Sequence, residues 1–131
     1  MKTIWVSALL LMLAGSAVAE SEVINHDVTG LANQEFRAGW FGSMKSDCTA
    51  EMPPQARVAE RAKNGAIRLI QTNVRTNSVP ECPNAELSAV VVFYQSKENF
   101  RGMDSFTLEL KNATGKTSLH RFNITVPGLV Q

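Results

Sequence analysis

The chain is poor in the residues on which most hydrolytic chemistry depends. It holds only two histidines and one tyrosine, and it lacks the G-x-S-x-G turn that lifts a serine nucleophile from a strand. It has no P-loop and no dinucleotide-binding glycine fingerprint, so the common phosphate cradles are excluded. Charge of one sign is missing too. Thirteen Lys and Arg face twelve Asp and Glu, so removal of Lys2 leaves the two signs balanced. Without a run of like charges, neither nucleic acid nor an anionic membrane surface is the expected partner. No segment beyond the first twenty residues sustains a 3.6-residue apolar period, which argues against helices.

The N-terminus is of a different kind. Lys2 is followed by an almost wholly apolar run from Ile4 to Leu13 and then by the small residues Ala17-Val18-Ala19. A positive start, a short apolar stretch and small residues at the cut make a secretory signal peptide over 1–19. About ten apolar residues are too few to cross a bilayer core of roughly 30 Å as a helix. An uncleaved anchor is the competing reading. No cysteine near the cut offers a lipid attachment. The expected product is exported, periplasmic or extracellular, with no membrane insertion after cleavage.

The remainder has the length of one ordinary domain. Cys48 and Cys82 are its only cysteines. In an exported chain two cysteines read as one disulfide; outside any C-x-x-C and far apart in sequence, they fit a metal pair or a redox couple poorly. Residues 20–34 form a leader or an edge strand, and 35–131 the domain proper.

Within that domain the pattern is β throughout. "QARVAE" and "AIRLI" alternate, with the Asn64-Gly65 pair between them reading as a tight turn. "LSAVVVFY" is nearly continuously apolar, as a central strand covered on both faces would be. Phe106, Leu108 and Leu110 share one face of a strand, with Ser105, Thr107, Glu109 and Lys111 opposite. Phe122, Ile124 and Val126 repeat the arrangement, and Gly115 in the intervening "NATG" supplies the turn. Six or seven such strands imply an all-β, immunoglobulin-like sandwich with one disulfide.

Tyr94, Phe100, Gly102, Asp104, Ser105, Phe106 and Gly115, followed by the last strand, resemble in their order the closing half of bacterial cadherin-like and Ig-like repeat modules. "KNGAI" at Lys63 to Ile67 resembles an earlier strand opening of those modules, with Ala62 where they carry proline. The resemblance spans Val58 to Val126 and implies a sandwich used as an adhesive or spacer unit in exported proteins. The family is commonly tandem, whereas this chain has one copy. The acidic residues with which some members hold calcium at module junctions are largely absent.

Candidate chemistry is sparse. Asp104 and Ser105 would need a histidine base to act as a hydrolase, and only His26 and His120 exist. Asp104 is expected to accept backbone N–H bonds and Ser105 to face water; both histidines are expected to be solvated. No spacing joins them to further metal ligands. A Glu109–Glu86 pair would be needed for glycoside work. Trp40 and Phe41 form either a ligand platform or a core plug near Cys48. Asn112 and Asn123 lie in N-x-Thr sequons. The expectation is a non-enzymatic module without cofactor or metal, binding a protein or glycan partner at the envelope or outside the cell. A carbohydrate-binding module on Trp40 and Phe41 is the alternative, and a small secreted hydrolase the third reading.

Overall fold

The computed structural model describes residues 22–128; the proposed signal peptide lies outside them. Seven strands form: β1 Val23–Thr29, β2 Phe36–Phe41, β3 Gln55–Glu60, β4 Gly65–Thr76, β5 Ala85–Ser96, β6 Gly102–Lys111 and β7 Thr117–Val126. They make a four-stranded sheet in the order β1-β7-β6-β3 and a three-stranded sheet in the order β2-β5-β4. The expected all-β sandwich of seven strands is therefore the observed one. Among the described residues, no helix is long and apolar enough to cross a membrane.

Period-two alternation places the core. Phe106 and Leu108 from β6 and Phe122, Ile124 and Val126 from β7 meet Val92 and Tyr94 from β5, and all seven are essentially inaccessible. The rings of Tyr94, Phe106 and Phe122 run in a row, with centroids 6.0 and 4.8 Å apart. The continuous apolar run of β5 has its reason in a second cluster. Leu87, Ala89 and Val91, on the opposite side of that strand, pack with Val74, Trp40, Met44 and Phe93. β5 is thus buried on both faces, as such a run requires, whereas Arg37, Arg68 and Thr72 of the flanking strands are exposed on the outer face. On the outer face of the larger sheet Thr107 is an exception, only 3% exposed and with its hydroxyl unpartnered.

Two connections differ from expectation or complete it. The Asn64-Gly65 turn is no hairpin: β3 and β4 belong to different sheets, so the segment crosses between them. Neither residue has positive φ. Glycine serves there because a Cβ on Gly65 would stand 2.6 Å from the Tyr94 ring. The 20–34 segment holds the edge strand β1, which runs parallel to β7. The β6–β7 hairpin does use Gly115, at φ +86°, and the Asn112 side chain organises the turn by accepting from Thr114 N and Lys116 N.

Candidate binding cleft

β2 ends at Phe41, and the chain then needs thirteen residues (42–54) to reach β3 in the other sheet. Most of this connection is ordered as a small hairpin. Met44 and Ala50 bridge, Lys45 N donates to Thr49 O at 2.8 Å, and Glu51 N donates to Ser43 O at 3.0 Å. Asp47 accepts from the Thr49 hydroxyl and amide, which holds its carboxyl below the usual range. Cys48 at the tip adopts φ +65° and is bonded to Cys82 in the β4–β5 loop. The disulfide therefore pins two long loops to each other; no strand-to-strand staple is involved.

Between this pinned loop and the β6–β7 hairpin lies a cleft of about 560 Å³. Ser43, Glu51 and Met52 line one side, Asn112 and Lys116 the other, with Trp40 and Phe41 at the end of β2 and His120 at the back. Ser43 Oγ donates to Glu51 Oε2 at 2.9 Å. Met52 is 79% exposed. An apolar thioether and indole beside a carboxylate, an ammonium and an amide suit a ligand with both apolar and hydrogen-bonding surface.

Trp40 and Phe41 leave β2 on opposite faces. Trp40 opposes Val91 and packs half-buried on the outer cluster; Phe41 opposes Val90 and faces the main core. Phe41 stands edge-on to both Phe122 and His120. A sugar-stacking surface on this strand would rest on Trp40 alone.

The histidines are not solvated as expected. His120 is only 8% exposed, and His26, across the β1–β7 pair, is half-buried. His26 Nε2 and His120 Nδ1 are 2.9 Å apart, and His120 Nε2 lies 3.0 Å from Ser118 Oγ. Burial, with a smaller contribution from His26, lowers the pKa of His120 below its usual value. A sign of its burial was present in the sequence, where His120 is in phase with Phe122, Ile124 and Val126. The partner was illegible, because a parallel pairing of β1 with β7 leaves no local signature.

Asp104 is elsewhere. It opposes Ile124, whereas His120 opposes Leu108; four residues of strand separate them, about 13 Å. Its oxygens accept from Tyr94 Oη, Lys63 N, Asn64 N and Ser105 N. Ser105 is exposed, and Gly102, three residues before it, holds φ +124°. Ser105, Asp104 and His120 are not brought together; the hydroxyl beside His120 is that of Ser118. Glu109 pairs with Arg57 and Glu86 with Arg75, on different sheets. Asn112 is exposed, and Asn123 is half-buried with Nδ2 donating to Asp27. Among the described residues, no three of His, Cys, Asp and Glu converge as a metal site would require. Comparison of the chain with protein-family models, curated proteins and solved structures finds no match.

Proposed function

We propose that the chain is an exported, immunoglobulin-like, non-catalytic module that binds a protein or glycan partner through the cleft between the 42–54 loop and the β6–β7 hairpin. One observation carries this reading: a recess with mixed polar and apolar lining sits at the loop-bearing end of a rigid sandwich, where binding residues on such scaffolds concentrate. The disulfide supports it by fixing one wall. The strand arrangement supports the immunoglobulin-like assignment. With the strands lettered A to G in order, β3, β6 and β7 take the C–F–G places of one sheet, and β2, β5 and β4 the B–E–D places of the other. Cysteines suit an oxidising compartment outside the cytoplasm.

The test is binding of the purified oxidised domain to fractionated envelope proteins and to a glycan array. Ser43→Arg and Lys116→Glu, which change the cleft walls, should abolish retention of any partner. Arg57→Ala, on the outer face of the four-stranded sheet and outside the cleft lining, should leave it unchanged. A partner retained equally by all three variants would place recognition away from the cleft and overturn the assignment.

A further inference from the structure

We infer that the His26–His120 pair is an acid-sensitive latch that holds the edge strand β1 on β7 and releases it when both imidazoles are protonated. This inference is independent of what the cleft binds.

β1 is weakly held by other means. It pairs with β7 alone, in parallel, the pairing that is slightly less stable per residue. Its inward side chains are Ile24, which is 45% exposed, and the half-buried His26 and Val28. Beyond the ladder, Gly30 N donates to Thr125 O at 3.1 Å, and on the outer face Asn123 Nδ2 donates to Asp27 and, at 3.4 Å, to Asn25. The histidine pair is therefore a large part of what joins the inner side of β1 to the core.

The geometry of the pair decides its response to protons. Its ring planes lie within 19° of each other and its centroids are 5.2 Å apart, with the bonded nitrogens between them. One nitrogen must donate and the other must accept. A single added proton leaves that possible: a charged His26 still donates from Nε2 to the Nδ1 lone pair of His120. A second proton removes the lone pair and sets two N–H groups and two positive charges against each other.

No anionic group in contact with the pair neutralises that charge; Ser118 Oγ, 3.0 Å from His120 Nε2, is a neutral hydroxyl. His26 lies against the Phe122 ring at 4.8 Å, and Phe41 stands edge-on to both imidazoles. Of the charged groups on the surrounding elements, Asp27 and Arg121 belong to the outer face of the same sheet. Glu109 on β6 is taken by Arg57, and Arg37 of β2 lies on the far side of the other sheet. At the cleft, Glu51 is held by Ser43, and Lys116 is itself a cation. Among the described residues, neither imidazole has an ion-pair partner. The burial that lowers the proton affinity of His120 acts in the same direction.

The test is amide hydrogen exchange of the oxidised domain from about pH 7.5 to about pH 4.5, corrected for intrinsic rates. Protection of the β1 amides should fall by up to about tenfold per pH unit below the ordinary histidine range, where the released strand binds one proton more than the latched one, while β5 amides stay protected. The double variant His26→Phe/His120→Phe should show pH-independent β1 protection. Should it fail to fold, the imidazole ¹⁵N shifts of the unaltered protein replace it: His120 should titrate below the ordinary histidine range, in step with β1. Three results would overturn the inference. They are β1 protection that does not change with pH, loss of β1 and β5 together, and a His120 titration out of step with β1.

Discussion

Tyr94 Oη donates to Asp104 Oδ2 at 2.8 Å, joining β5 of one sheet to β6 of the other inside the sandwich. The same carboxylate accepts from Lys63 N and Asn64 N, so it also fixes the point at which the chain crosses between sheets. Hydrogen bonds to a charged group contribute about 1.5–3 kcal/mol. Tyr94→Phe should lose about that much, read as a lower urea midpoint at neutral pH. Asp104→Ala should cost more, because it strands a buried hydroxyl and three backbone amides at once. A smaller loss for Asp104→Ala than for Tyr94→Phe would contradict the convergence of these bonds on Asp104.

The stability profile with pH should show two declines. Burial raises the pKa of Asp104, but Tyr94 and the three backbone N–H groups outweigh it and hold the group below its ordinary value. A depressed carboxyl stabilises fully above the unfolded value of about 3.9 and loses that stabilisation as pH falls through the folded one. His120 is depressed as well. The unfolded chain then binds the proton more readily, so stability is complete above about pH 6.5 and erodes below it. Urea midpoints across this range should fall first in the histidine region and again in strong acid. Tyr94→Phe should weaken only the second decline.

Most of the scaffold was legible because side chains in sheets alternate with a period of two. The Phe106 and Phe122 rows follow from that spacing, the doubly covered β5 from its unbroken apolar run, and the β6–β7 hairpin from the Gly115 turn. Non-local choices were not legible. The Asn64-Gly65 pair reads locally as a hairpin, yet it crosses between sheets and answers to a tyrosine about thirty residues on. Alternation sends Trp40 and Phe41 to different faces, but which of them meets the main core depends on the pairing of β2 with β5. The cleft draws on the 42–54 loop and the β6–β7 hairpin, whose proximity no local pattern encodes.

The disulfide should matter for loop placement as well as for stability. Cys48 and Cys82 are separated by 34 positions, and closing a loop of that size stabilises by about 3–4 kcal/mol on the chain-entropy model. Cys48→Ser/Cys82→Ser should lower the urea midpoint accordingly. It should also raise amide exchange in 43–51 more than in β6, because the ordered hairpin loses its tether. Free reaction of both thiols under native oxidising conditions would contradict the bond itself.

Two glycines should fail for different reasons, and the difference is measurable. Gly115 has φ +86°, and a Cβ there would meet only Lys111 Cε, at 4.0 Å. Gly115→Ala therefore carries backbone strain without a clash, and should cost about 1 kcal/mol. Gly65 has an ordinary φ, but its Cβ would press the Tyr94 ring at 2.6 Å and Gln95 O at 2.7 Å. Backbone cannot yield as a flexible side chain does, and any shift of the ring drags Oη from Asp104. Gly65→Ala should thus lower the thermal midpoint well beyond Gly115→Ala. It should also lose part of its penalty in a Tyr94→Phe background, where no hydroxyl remains to be displaced. Equal penalties in the two backgrounds would mean that the clash with Gln95, rather than the broken link between the sheets, sets the cost.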